Sequence, residues 1–285
     1  MSDDFLASMA ASSRERSAAA QSKISERELR VRIADLPAAP LLSLGAFDLI
    51  AEVKLRSPAV GLLKDASVED VVARVAAYAK AGAAAVSILT EPSRFDGSLD
   101  DLAVGARALS PLQVPAMRKD FLVDSYQVVE GRVAGAGGVL AIIRMLPRPE
   151  LERLIDAALE LSMFVLLEAF DAPDIELAHA LVDARREQRD LLLVGVNSRD
   201  LSTLKVVPGR LEALASSLPA NVKRVAESGV ATPGDAARAA ANGYDLALVG
   251  SALIAAADPA PLARAMLADA RAAVSMRAAR VTGRA

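Results

Sequence analysis

The sequence predicts a single (β/α)8 barrel, an α/β fold, with an extra helical segment at its N-terminus. Three observations carry that prediction. The chain has 285 residues, ordinary for one large barrel. Short β-rich apolar runs alternate with helical stretches eight times. The runs are apolar on both faces, as strands of a parallel sheet wrapped in helices must be. With 53% hydrophobic and 24% charged residues the chain can bury a large core, which sets aside a disordered or fibrous protein.

Residues 1–45 read as a helical extension packed on the barrel and residues 46–285 as the barrel itself. From Phe5 to Ile33 the sequence is rich in Ala, Glu, Arg and Ser, which suits one or two surface helices. Pro37, Pro40 and Gly45 then break it. The apolar runs are DLIAEVK from Asp48, AAVSILT from Ala84, VPAMRKD from Val114, GVLAIIR from Gly138, MFVLLEA from Met163, LLLVGVN from Leu191, VKRVAES from Val222 and DLALVG from Asp245. Their starts lie roughly 23 to 36 residues apart, room for one strand, one helix and two short loops. Between them, Ser67 opens a helix with acids in its first turn and Gly82 just past its end, and Thr232-Pro233 opens another that ends at Gly243. An open doubly wound sheet is the alternative. It is disfavoured because no G-x-G-x-x-G follows the first run and eight units close naturally.

Composition also excludes several classes of function. The net charge of −3 gives no global attraction for a polyanion or an anionic membrane. Six Phe, three Tyr and no Trp leave few platforms for stacking single-stranded nucleic acid. Zero Cys removes disulfides, thiolate zinc sites and a cysteine nucleophile, and a single His leaves no His-rich metal cage, so no metal chemistry is expected. The N-terminus has no signal-peptide core and no stretch reaches the ~18 apolar residues of a membrane span, which points to the cytoplasm. The pattern is compatible with a monomer and predicts no fused second enzyme.

In a barrel of this kind chemistry is done by side chains at the C-terminal ends of the strands. The first run ends in Glu52 and Lys54, two residues apart and therefore on the face that Ile50 shares. The third ends in Lys119-Asp120, the fifth in Glu168, and the sixth in Asn197 with Arg199 two further on. The seventh ends in Glu227-Ser228-Gly229 and the eighth in Gly250-Ser251. A single charged residue at a strand end is usually just solvated. Two carboxylates, two lysines and an Asn directed at one mouth are how an acid–base site is assembled. Gly229, Gly250 and Ser251, the last beginning a short helical stretch, suggest a phosphate site, to which Arg56 and Ser57 would add charge and a hydroxyl. Phe95 and Phe121, in loops after strand ends of an aromatic-poor chain, could face an aromatic substrate. His179 lies mid-helix and reads as a surface or packing residue. The tail from Arg271, with four Arg and no acid, reads as an exposed last turn or frayed end.

The segments IAEVKLRSP, SILTEPSRFDGSLDDL, RKDFLVD, LLEAFD, GVNSRDLSTL, AESGV and LVGSAL resemble the indole-3-glycerol phosphate synthase family, in order and at its spacing, from about Phe47 to Leu262. The helical extension is similar to that family's as well. The resemblance implies a (β/α)8 barrel that closes the indole ring of 1-(2-carboxyphenylamino)-1-deoxyribulose 5-phosphate in tryptophan biosynthesis. Carbon dioxide and water are lost, and no metal or cofactor is used. It implies that Lys119 is the general acid at the ketone oxygen, that Glu168 is a catalytic carboxylate, and that Glu52 and Lys54 are a pair serving the same chemistry. Asn197 and Ser228, with Arg199 and Glu227, would surround the substrate's carboxylate and hydroxyls. Arg56, Ser57, Gly229, Gly250 and Ser251 would cradle the phosphate, and Phe95 and Phe121 would wall the anthranilate ring.

The chain departs from the family pattern at Ala59-Val60, at Phe170 where a histidine is common, and at Gly137-Gly138. These changes bear on loop motion and rate rather than on reaction class. The related phosphoribosylanthranilate isomerase family relies on a cysteine base, which this chain lacks. A barrel that has lost activity and serves as a scaffold or binding subunit should show gaps in the ring of strand-end polar groups, and none is found.

Overall fold

In the computed structural model, which describes residues 2–54, 56–57, 61–62, 71–201 and 203–282, a strand forms at each of the eight apolar runs. They are β1 (Asp48–Val53), β2 (Ala85–Leu89), β3 (Ala116–Lys119), β4 (Gly138–Ile142), β5 (Phe164–Ala169), β6 (Leu192–Asn197), β7 (Lys223–Glu227) and β8 (Leu246–Val249). All pair in parallel with their sequence neighbours, and β8 returns to β1 with Leu248 opposite Ile50, closing a TIM barrel. Outside it, Arg56–Ser57 pairs with Gly61–Leu62 in a short antiparallel ladder.

The helices are α1 (Ser2–Gln21), α2 (Glu26–Ala34), α3 (Val71–Lys80), α4 (Leu99–Leu109), α5 (Ser125–Val133), α6 (Arg148–Glu160), α7 (Ala172–Ala184), α8 (Arg210–Ala215), α9 (Pro233–Ala241), α10 (Ser251–Ala255) and α11 (Pro259–Thr282). Local chemistry explains their ends. Thr232 caps α9 reciprocally with Asp235, and Pro233 occupies the first turn, where its missing N–H costs nothing. Gly82 and Gly243, just past α3 and α9, adopt the left-handed backbone (φ +100 and +97) that stops a helix. Ser67, the expected start of α3, lies outside the described residues, as do Ala59 and Val60. His179 is exposed on α7 and meets the Ser217 carbonyl at 2.9 Å.

Alternation along the strands sorts the core into two shells. Ile50, Met117, Leu140, Leu166, Leu193, Val225 and Leu248 fill the barrel, whereas Leu49, Ala51, Val139, Val165 and Val194 face the helices. The departure at Gly138 has a packing cause: Gly138 pairs with Phe164, and a Cβ there would run into the Phe164 ring. Among the described residues no helix is long and apolar enough to cross a membrane.

Both termini make specific contacts with the barrel. Helix α1 has one covered face. It buries Leu6, Met9, Ala10, Ser13 and Ser17, and Ser13 accepts a 2.9 Å hydrogen bond from Gln127 in α5. Of the two readings of the tail, an exposed last turn fits and a frayed end does not: the chain is helical as far as Thr282, with residues 275–280 exposed. Arg271 in α11 donates to the Phe47 carbonyl and to Asp48, both at 3.0 Å, and Arg277 donates to the Ala240 carbonyl. Composition could not show this, because the partners lie more than 30 residues away.

Candidate active site

Every second strand contributes one inward ionisable side chain near its C-terminal end: Glu52 from β1, Lys119 from β3, Glu168 from β5 and Glu227 from β7. Barrel interiors stack in layers of four side chains from alternate strands. Here the layer at the mouth is charged while those beneath are apolar. The four residues belong to one cavity of about 310 Å³.

The layer is bound together by ion pairs. Glu52, 2% exposed, accepts from Lys54 Nζ at 2.5 Å on one oxygen and from Lys119 Nζ at 2.6 Å on the other. Burial alone would raise its pKa, but Lys119 and Lys54 outweigh that and hold it at about 2. Burial would likewise lower Lys119. Glu52, then Glu168 and Glu227, reverse this and hold its pKa above the ordinary lysine range, so it is an ammonium group. Gly250 fits beside this cluster for a steric reason, since a Cβ there would collide with the Glu52 carboxylate.

The other two carboxyls behave differently. Glu168 accepts from Asn197 Nδ2 at 2.8 Å, and Asn197 is itself oriented by accepting from Arg199 N–H at 2.9 Å. Burial raises the pKa of Glu168. Glu227, 1% exposed, has no donor on either oxygen among the described residues. Burial and the neighbouring Glu168 push its pKa well up. The two come together because Gly195, which pairs with Glu168, has no side chain to separate them; a Cβ there would strike Glu227.

Around this layer the cavity has two ends. Phe95 and Phe121 stand with ring centroids 6.2 Å apart, accompanied by Leu140 and Ile142. Phe95 is placed by a short helical turn, Pro92–Phe95, whose first N–H groups Glu91 caps. At the other end lie Ser228, Gly229, Gly250 and Ser251. Ser228 and Gly229 are both left-handed (φ 62 and 78), turning the chain back over the mouth after β7. Arg199 lines the wall and donates to the Leu204 carbonyl at 2.6 Å. Of the candidate site residues, Arg56 and Ser57 are the two whose side chains lie outside the described residues.

Sequence reasoning missed Phe5. It reaches the cavity from α1 and packs edge-on against Phe121, with centroids 5.9 Å apart. The available signal was a Phe in an otherwise alanine-rich helix. Phe170, by contrast, does not line the cavity; Arg144 covers its ring at 4.9 Å.

Comparison with known proteins agrees with this arrangement. The family model described as indole-3-glycerol phosphate synthase matches residues 6–266. An indole-3-glycerol phosphate synthase of Nocardioides sp. is 41% identical over 254 residues, covering 85% of this chain and 93% of that protein. Indole-3-glycerol phosphate synthase 1 of Streptomyces coelicolor is 41% identical over 238 residues, covering 83% of each. Among solved structures, thiamine phosphate pyrophosphorylase from Pyrococcus furiosus superposes with a TM-score of 0.57 at 14% identity, covering 80% of this chain and 97% of that one, a likeness of fold alone. With a family match across most of its length and relatives above 40% identity, the chain belongs to the indole-3-glycerol phosphate synthase family.

Proposed function

We propose that the charged layer at the barrel mouth performs the reaction that family membership gives this chain. That reaction is a carboxy-lyase step of tryptophan biosynthesis, closing the indole ring of 1-(2-carboxyphenylamino)-1-deoxyribulose 5-phosphate. The anthranilate ring lies between Phe95 and Phe121, and the phosphate lies against the backbone of Gly229, Gly250 and Ser251, with Arg56 and Ser57 as further partners. Gripping both ends folds the flexible chain onto its own ring, which lowers the entropic part of the barrier.

Lys119 protonates the ketone oxygen as the ring carbon bearing the carboxylate attacks the ketone carbon. Loss of carbon dioxide restores aromaticity. Departure of the hydroxyl as water and loss of one C–H proton then complete the indole. With the substrate carboxylate ionised, two protons are taken up and one is returned. Glu168, oriented by Asn197, is placed to take the C–H proton, and its partner Glu227 carries a proton for hydrogen bonding to substrate oxygens. Ser228 and Arg199 contact the substrate's polar groups. Glu52 keeps Lys119 and Lys54 charged and in place. The phosphorylated substrate cannot cross a membrane unaided, which supports a cytoplasmic site of action.

The observation that carries this reading is the 2.6 Å pairing of Lys119 with a buried Glu52, facing two carboxyls whose pKa values are raised. Purified protein given the substrate should develop indole fluorescence over a weak background, because the chain has no Trp. No signal from folded protein at high concentration would overturn the assignment. Lys119→Met should lose ~100- to 10,000-fold in kcat while still binding substrate, the range for general acid–base groups. Near-normal turnover would remove Lys119 from its role.

A further inference from the structure

Phe95, one of the two proposed ring walls, stands on a turn that has little packing of its own. Pro92, Ser93, Arg94 and Asp96 around it are exposed, so burial of neighbouring side chains does not fix the ring. Glu91 does. It is fully buried, and both of its carboxylate oxygens point into the turn that follows. Oε1 accepts from the Ser93 N–H at 2.9 Å and from Ser93 Oγ at 2.6 Å, and Oε2 accepts from the Arg94 N–H at 2.7 Å. A buried carboxylate is costly to hold, and here the donors that offset the cost belong to the turn itself.

The main chain closes the same loop. The Gly97 N–H donates to the Glu91 carbonyl at 3.0 Å, and Asp96 just before it is left-handed (φ 54). Gly97 is confined to glycine, because a Cβ there would run into the Leu89 carbonyl. Both ends of the loop are anchored. Before it, the Thr90 N–H donates to the Lys119 carbonyl at 3.0 Å, and after it Ser98 caps α4 by accepting from the Asp101 N–H at 3.0 Å. Between these fixed ends the path of the chain is set by one side chain.

We propose that Glu91 is a positioning residue for the substrate: by holding the Ser93 and Arg94 N–H groups it sets the height of the Phe95 ring over the cavity, and so how tightly the substrate's aromatic end is gripped. Glu91 itself does not line the cavity. The proposal rests on the reading of Phe95 as a wall for that ring. Without the carboxylate, the first N–H groups of the turn lose their acceptor and the segment regains the backbone freedom that capping removes. A ring gripped equally before and during the reaction is uniform binding, so loosening it raises KM and spares kcat.

The test uses the full-length chain. Glu91→Ala should raise KM by ~3- to 10-fold, the worth of one well-placed aromatic contact, with kcat within about threefold of the parent's. KM does not depend on how much of the enzyme is folded. A variant with a parent-like KM and a kcat reduced only in proportion to its folded fraction therefore overturns the proposal. Glu91→Asp, which keeps a good capping carboxylate, should bring KM back toward the parent's, whereas Glu91→Gln, with one acceptor oxygen for three donors, should not. The deciding measurement is a double-mutant cycle. Phe95→Ala should raise KM, and Glu91→Ala should add nothing on top of it if Glu91 acts through Phe95; fully additive effects overturn the proposal. Should Glu91→Ala fail to fold, Glu91→Gln takes its place in the cycle. A parent-like KM in the Glu91 variants beside a raised KM in Phe95→Ala sinks only the positioning role. A parent-like KM in Phe95→Ala sinks the ring wall itself, and the proposal with it.

Discussion

Glu227 shows how the site draws on stability. Its two oxygens are buried without a donor, and its pKa is pushed well above the usual glutamate range by burial first and Glu168 second. The folded chain thus binds more protons than the unfolded chain between the ordinary value near 4.5 and the raised one, and stability falls as pH rises through that window. Glu227→Gln should remove this cost. Its Tm at pH 8 should exceed the parent's by about 2 °C or more, with a smaller gap at pH 5, while turnover falls. Equal Tm values at both pH values would show that the carboxyl is not held neutral by the fold. Glu52 works in the opposite sense: its contribution is present above about 4.5 and is lost as pH falls toward 2. At the other end of the cavity, Ser251→Asp should raise the substrate Kd by setting a negative charge beside the phosphate, and an unchanged Kd would count against the cradle. The polarity of these residues was legible from the ends of the apolar runs. The protonation state of Glu227 was not, because it depends on Gly195 leaving two carboxyls side by side across strands.

Among the elements, strands and helix caps were the most readable, because they are written in neighbouring residues. Strand alternation needs only period two, and the α9 cap needs only Thr232, Pro233 and Asp235. The reason for a particular small residue inside a strand was not local. Gly137-Gly138 stood out as a departure from a family pattern, and the structure relates Gly138 to the ring of Phe164 on the adjacent strand. Gly138→Ala should therefore destabilise the chain by ~1–3 kcal/mol through overpacking, read from the midpoint of denaturant unfolding. A change below about 0.5 kcal/mol would mean that the Phe164 ring moves aside freely. Helix α1 illustrates the same limit. Its composition read as a helix lying on the barrel, and only the barrel's own shape decides that the covered face is the one with Leu6, Met9 and Ser13.

At the scale of the whole molecule, closure is the governing event. Pairing of β8 with β1 makes eight separate strand ends into one mouth, and α11 seals that seam through Arg271, which bonds the Phe47 carbonyl and Asp48 where β1 begins. Arg271→Ala should cost about 1 kcal/mol, since half of the side chain is in water, and should leave kcat unchanged because the contact lies at the opposite end of β1 from Glu52. A fall in kcat without loss of stability would show that the seam reaches the mouth.

By itself the sequence determined the number of strand and helix units, the barrel class, and the residue types that end each strand. Those features are set by hydrophobic period, turn chemistry and caps acting over a few residues. Only the tertiary structure decided that Lys119 pairs with Glu52 rather than Glu168, that two buried carboxyls stand side by side, and that the N-terminal helix reaches the mouth through Phe5. Those outcomes depend on distances between segments tens of residues apart, and such distances come into being only when the barrel closes.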